Sequence, residues 1–425
     1  MKHYILKSCI IALGLVTETT MTLADTTEQT FSYQINLVDE NNNIIKTLLT
    51  DDEAYTGKSI EYSYPKYLTD SEGNVTYVCT TSTFTSKASA TEGGTTNVLY
   101  QKYDGVARFF EAEDLNLSTN AQKDVSNKNC SSGSAIKFIN ANSPIYTTDD
   151  NGIYSMTLAV ATGNVGKNPD GTPKKVSFTV NQDDNQLLFI DDVTWSANDT
   201  QRKGNIKNDN IVLEKGKAIL LTTSPAKNAI LDYVLIEKIA SRVSVSVAKY
   251  ATWVAKDNVI IPEEVKVYAI KENEGGTGIV KTEIKAGTVI PMGTAILVGG
   301  EEGNHDFAVT ADDGQQISDN RLLASDGTVV SDGNTYYALS MFEGKVGFAL
   351  VGQGVTIPEG KAYLKVDNQS GAKFISMDGE ITGINNTSLE SNTKQNTYYT
   401  LEGKKTNEPS CGLFIHNGKK VIINK

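Results

Sequence analysis

The sequence predicts an all-β, multi-domain protein. A central β-sandwich of the jelly-roll kind is flanked by an N-terminal β-rich module and a second β-sandwich. Three observations predict this. Short runs of alternating apolar and polar residues recur along the chain, which is the period-2 pattern of half-buried strands. Gly, Asn and Asp bound these runs, supplying the turns. No amphipathic helical run separates them, and many short strands without helices point to sandwiches or barrels.

Composition limits the function. With 425 residues the chain has room for two to four domains. Its net charge of −12 argues against nucleic acid, whose phosphates need a positive patch. Three histidines, His3, His305 and His416, are too few for a His-rich metal site and make a His-centred active site a poor fit. Cys79, Cys130 and Cys411 are widely spaced, with neither a disulfide framework nor metal-ligand spacing, so they read as unpaired small residues.

Residues 1–24 read as a secretory signal. Lys2 and Lys7 precede an apolar core at 9–16, and Thr22-Leu23-Ala24 suits cleavage before Asp25. The apolar run is too short to span a bilayer, so no transmembrane segment is expected. Cys9 stands at the start of the apolar core, not after it, which argues against a lipoprotein anchor. The expected location is secreted or on the outer cell surface.

Residues 25–104 form the first module. Positions 31–38 alternate as a strand, 39–43 make a turn, and 44–49 return as a hairpin partner. A strand at 60–65 follows, and Asn97-Val98-Leu99-Tyr100 is the last one. The pattern Y-x-I-x-L-V-D-E-N-x-x-I-I-K resembles a mucin-binding repeat of the ubiquitin-like β-grasp kind. Either an adhesive module or a spacer fits it.

Residues 105–240 form the central module. Strands are expected at 151–161, 175–180, 211–220 and 228–238. Glu111 and Glu113 stand two apart, so on a strand both would face one side. Paired carboxylates repel unless a cation or proton intervenes. In a jelly roll the first and last strands can be neighbours, which would bring Asp232 to the pair. Three hard oxygen donors plus carbonyls suit Ca²⁺; solvated strand-end acids are the alternative.

The opening Phe110-Glu111-Ala112-Glu113-Asp114 and the closing Leu231-Asp232-Tyr233-Val234 resemble carbohydrate-binding modules of families 6 and 35. The resemblance covers about 130 residues and implies a jelly roll with a structural calcium at Glu111, Glu113 and Asp232. It also implies a glycan ligand. Sugar binding needs an aromatic platform with amide or carboxylate groups beside it. Trp195 lies in a polar loop near the family's aromatic, with Asn198 and Asp199 beside it, and Tyr146 and Phe138 flank a second polar stretch. Core filling is the alternative for each of these aromatics. Family 6 modules tend to carry a sugar-binding Asn two residues before the Asp of the closing motif. Here that position is Ile230, and Asn228 is the nearest amide of the same strand parity.

Residues 241–368 resemble an accessory β-sandwich of secreted multi-domain proteins, and 369–394, rich in Ser, Asn, Thr and Gly, read as a linker. Residues 395–425 carry Y-x-L-x-G-K and G-L-F-I-x-N-G-K-K-V-I-I. This resembles the C-terminal sorting domain of type IX secretion substrates and implies the secretion machinery as a partner. The sequence thus points to a non-catalytic, secreted or cell-surface protein that binds a polysaccharide or glycan. The alternative is a surface adhesin or structural protein without sugar binding. No segment is left over for a catalytic domain.

Overall fold

The computed structural model describes residues 33–51, 60–81, 84–88, 94–117, 122–124, 130–137, 139, 142–162, 167–172, 174–194, 205–272, 279–342, 344–366, 372–377, 398–400, 405–406, 412–416 and 419–423. The signal segment 1–24, Trp195, Asn198, Asp199 and Phe138 lie outside them. The protein is all-β and multi-sheeted: among the described residues the only helices are single 3-10 turns. None is long and apolar enough to cross a membrane. The chain divides into two compact units, 1–239 and 240–425.

The first unit opens with β1 (Tyr33–Val38), β2 (Ile44–Asp51), β3 (Ile60–Ser63), β4 (Tyr67–Thr69), β5 (Val75–Cys79), β6 (Thr85–Ala88) and β7 (Gly94–Lys102). Five of them form a mixed sheet, β2-β1-β7-β5-β4, in which β1 and β7 run parallel. The hairpin expected at 31–49 is β1–β2. Its turn is set by Asp39, whose Oδ1 accepts the amide hydrogens of Asn41 and Asn43. Asp70 does the same for Glu72 and Asn74 between β4 and β5. A short side chain that satisfies the turn's own amides is why Asp leads both loops.

The sandwich follows: β8 (Val106–Glu111), β9 (Gln122–Asp124), β10 (Ala135–Lys137), β11 (Ser143–Thr147), β12 (Gly152–Thr162), β13 (Lys175–Gln182), β14 (Asn185–Thr194), β15 (Asn205–Leu213), β16 (Ala218–Ser224) and β17 (Ala229–Val245). One sheet runs β15-β12-β17-β10-β9, with β8 also on β17; the other runs β11-β16-β13-β14. Their inner faces enclose one core that includes Met156, Leu158, Phe178, Val180, Leu213, Leu221, Leu231 and Val234. The expected strands at 151–161 and 175–180 are β12 and β13. The expected run at 211–220 is instead two strands, because the backbone turns at Lys215–Gly216, where Gly216 takes φ +77°.

The first and last strands of the sandwich are neighbours, as anticipated. Antiparallel pairing sets Tyr233 opposite Glu111 and Leu235 opposite Phe109. β17 changes partner along its length: Ile230 and Leu231 pair with β10, and 233–238 pair with β8. The inward-facing parity shifts at the same place. Ala229 and Leu231 enter the core, and then Val234 and Ile236 do. A strict two-residue alternation cannot do this, so Asp232 and Tyr233 sit at a local irregularity.

The N-terminal module is packed onto the sandwich rather than spaced from it. Tyr67, Val75 and Tyr103 meet Ala107, Phe109, Ala159, Tyr233 and Leu235 in one apolar cluster. Tyr67 stands 5.0 Å from the Phe109 ring and 6.0 Å from that of Tyr233.

In the second unit, residues 240–245 of β17 pair with Gly303–Ala308. Its central sheet orders Tyr250–Val254, Ala295–Gly299, Lys266–Glu272 and Ile279–Ile284. All of Ala295–Gly299 is buried because both faces of that sheet carry apolar cover. Trp253, Val298 and Phe307 lie in the cluster on one side, and Leu297, Tyr337 and Phe348 in the cluster on the other. The expected sandwich therefore has an extra layer. Its second sheet closes with Phe374–Ser376, inside the stretch expected to be linker. Phe374 and Ile375 are buried there. The terminal segment expected as a small β unit is a four-stranded sheet built from Tyr398–Thr400, Lys405–Thr406, Gly412–His416 and Lys419–Ile423.

Candidate functional site

The three acids expected to share a cation come to one place, but not all from strands. β8 ends at Glu111; Ala112–Asp114 is a 3-10 turn, and Glu113 belongs to it. The expectation that Glu111 and Glu113 share a strand face is therefore corrected. They are drawn to one segment because a second 3-10 turn, Ser131–Gly133, supplies hydroxyls to Glu111, and Ser134 just after it supplies one to Glu113. Ser131 Oγ donates to Glu111 Oε1 at 2.5 Å and Ser132 Oγ at 2.8 Å. Ser134 Oγ donates to Glu113 Oε1. The Ser131 amide donates to Asp232 Oδ2 at 3.3 Å.

The turn at 130–134 has a strained shape. Ser132 and Gly133 take φ of +51° and +74°. A left-handed conformation costs little for Gly but is uncommon for Ser, and it holds two serine hydroxyls toward one carboxylate. Sequence reasoning missed this turn. A Ser-Ser-Gly-Ser run reads as an ordinary loop, and nothing in it signals that acids 20 positions earlier and 100 later will meet it.

The site is buried. Glu111 is 8% and Asp232 3% exposed. Burial is the largest influence on Glu111 and pushes its pKa up to about 8. The Ser131 and Ser132 hydrogen bonds oppose that rise, while the charges of Asp232 and Glu113 add to it. Glu111 Oε2 is buried without a hydrogen-bond partner. Among the described residues no group of three or more His, Cys, Asp or Glu is gathered so as to hold a metal ion. What the site offers is a set of oxygen donors, carboxylate and hydroxyl, with one carboxylate oxygen unspent.

Of the expected sugar-binding residues, Tyr146 and Asn228 are among those described. Trp195 and Asn198 fall outside the described residues. Tyr146 is on β11, half-buried against the sandwich core, its ring 5.5 Å from that of Phe110. That is the packing of a core aromatic. Asn228 ends the 3-10 turn Ala226–Asn228 before β17 begins, so the strand-parity argument for it does not hold. Ile230 is buried with Cys130, Ala135 and Ala161 in a small apolar cluster. Cys79 and Cys130 are both buried, and neither is in a disulfide among the described residues.

No family model matches the chain, and no curated protein matches it. Among solved structures, the N-terminal CBM22-1-CBM22-2 tandem domain of Xyn10C from Paenibacillus barcinonensis is matched at 10% identity and a TM-score of 0.22. The match covers 48% of this chain and 86% of that one. At that TM-score the likeness carries no argument about shape or ligand.

Proposed function

We propose that the chain is a non-catalytic, secreted or cell-surface glycan-binding protein whose central sandwich is stabilised by calcium. The observation that carries this reading is that buried Glu111 and Asp232 and half-buried Glu113 each meet the 131–134 segment at the junction of the first and last sandwich strands. This is the place where the family 6 and 35 resemblance puts a structural cation. Glu111, Glu113 and Asp232 would hold the ion, with Ser131, Ser132 and Ser134 at hand as neutral oxygens. A divalent cation would supply the positive charge that lets neighbouring buried carboxylates stay ionised.

Glycan binding rests on the family resemblance and on Trp195, with Asn198 and Asp199 for hydroxyl contacts. Stacking one sugar ring on an indole hides about 100 Å² of apolar surface, worth about 2.5 kcal/mol. Hydrogen bonds add about 1 kcal/mol each, which places affinity near the millimolar range. The shared apolar cluster between the two modules means that residues 105–240 cut out alone would expose Phe109 and Tyr233. The whole mature chain is therefore the right object for testing. Calorimetry against soluble polysaccharides is expected to give weak, saturable heats in the parent and none in Trp195→Ala. Equal binding by the two would remove Trp195 as the platform.

A second reading, an adhesin or structural protein without sugar binding, is favoured by one observation. Ile230 occupies the family's Asn position and is buried in an apolar cluster, so no amide is offered there. On either reading the C-terminal segment, by its resemblance, is proposed to address the chain to type IX secretion.

A further inference from the structure

The second unit carries an open polar cleft lined by Lys271 and the segment 316–321. Its volume is about 710 Å³, within the roughly 300–1,000 Å³ of small-molecule sites. The segment 316–321 forms neither strand nor helix, yet it is pinned. Ile317 packs against the apolar cluster that holds Val267 and Phe307. Asn320 is bonded at both ends of its amide. Its Oδ1 accepts the amide hydrogens of Ile270 and Leu322, each at 3.2 Å, and its Nδ2 donates to the Ala295 carbonyl at 2.6 Å. The Arg321 amide donates to the Ile270 carbonyl at 2.7 Å. A side chain that stands in for backbone partners in this way fixes the loop against the strand Lys266–Glu272. The lining is therefore preformed.

Its charge is distinctive. Lys271 and Arg321 are the cations of the lining and Asp319 its acid, which leaves one positive charge in surplus on a chain of net charge −12. Lys271 Nζ stands 3.5 Å from Asp319 Oδ2, and the two side chains are 36% and 75% exposed. An ion pair that long and that wet holds weakly, so a ligand anion competes for Lys271. A guanidinium takes a carboxylate through two parallel hydrogen bonds. Gln316 and Ser318 add an amide and a hydroxyl, the groups that receive sugar hydroxyls. A neutral sugar leaves the surplus charge unmatched, and a bare anion leaves the amide and hydroxyl unused. We infer that this cleft is a second ligand site and takes an acidic sugar, a pyranose bearing one carboxylate. The carboxylate lies at Arg321 and Lys271, and the ring hydroxyls lie at Gln316 and Ser318. The site shares no residue with the Trp195 platform and does not depend on it.

The mature full-length chain is titrated by calorimetry with glucuronate, with glucose, which lacks the carboxylate, and with acetate, which lacks the sugar. Glucuronate is expected to bind near the millimolar range, with glucose and acetate at least about tenfold weaker. Added salt weakens glucuronate binding. Arg321→Gln and Lys271→Gln each weaken it about tenfold. Asp319→Asn tightens it about fivefold by removing the competing acid, and Asn tolerates the φ of +56° found there. Trp195→Ala leaves it unchanged. Should one cation variant not fold, the other and the salt dependence still decide. The inference is overturned if glucuronate binds no better than glucose, if acetate binds as well as glucuronate, or if the folded cation variants bind like the parent. Loss of glucuronate binding in Trp195→Ala with retention in Arg321→Gln would also overturn it, and would place the acidic sugar on the central module instead.

Discussion

Glu111 is a buried carboxylate that accepts two serine hydroxyls, and its titration is the most direct chemical report on the site. Burial raises its pKa from 4.5 to about 8. The folded, metal-free chain therefore holds a proton that the unfolded chain releases. The stability tied to that proton is complete below the unfolded value and is lost as pH rises through the folded one. Asp39, Asp70, Asp170, Asp209, Asp326 and Asp332 are shifted down from 3.8, so they act in the opposite sense, but only in acid. Between about pH 5 and pH 8 the melting temperature in chelator is thus expected to fall in the parent and to stay nearly level in Glu111→Gln. A level profile in the parent would contradict the buried site. Tyr146 gives a second test. Because it packs on the core and on Phe110, Tyr146→Ala is expected to cost about 2 kcal/mol in denaturant unfolding without changing polysaccharide binding. Lost binding at unchanged stability would return Tyr146 to the ligand site.

At the scale of elements, β17 joins the features that matter in the first unit. Its Asp232 reaches the acid site, its Tyr233 and Leu235 take the N-terminal module, and its Lys238 pairs with Asp150 at 2.7 Å. The two side chains of that pair are 9% and 13% exposed. Removing one partner takes away half of a buried ion pair, so Asp150→Ala is expected to destabilise by up to about 3–5 kcal/mol, read by chemical unfolding. A change under about 1 kcal/mol would mean that water reaches Lys238. Most of these elements were legible in the sequence. The alternation that marks β12 and β13 comes from strands with one face on the core, and the Asp-led hairpin turn of β1–β2 follows local chemistry. What was not legible is what long-range contacts decide. Glu113 leaves the strand because β8 ends at Glu111 and a 3-10 turn begins at Ala112. Asn228 misses β17 because a 3-10 turn intervenes. Phe374–Ser376 hides in a polar stretch, since three residues are too few to show a period. Its strand partner Gly347 is pressed against Phe374 and has no room for a side chain. Phe374→Ala is accordingly expected to cost about 3–5 kcal/mol, whereas a linker residue would cost almost nothing.

At the scale of the molecule, the chain divides into two units at 239, and the segments on either side of residue 104 share an apolar cluster. Composition shifts mark where chains cross between modules, but they carry no sign of whether the modules then pack together. The proposed export requires that residues 1–24 be absent from the mature protein, which an intact mass on exported material will show; a mass that retains them would contradict it. Glycan binding by the whole chain is tested most directly by titrating the mature protein, in calcium, against a broad panel of soluble polysaccharides. Saturable binding near the millimolar range to at least one of them, lost in Trp195→Ala, is the predicted result. Absence of binding across the panel by a folded, calcium-loaded protein would contradict it and leave the adhesin or structural reading in its place.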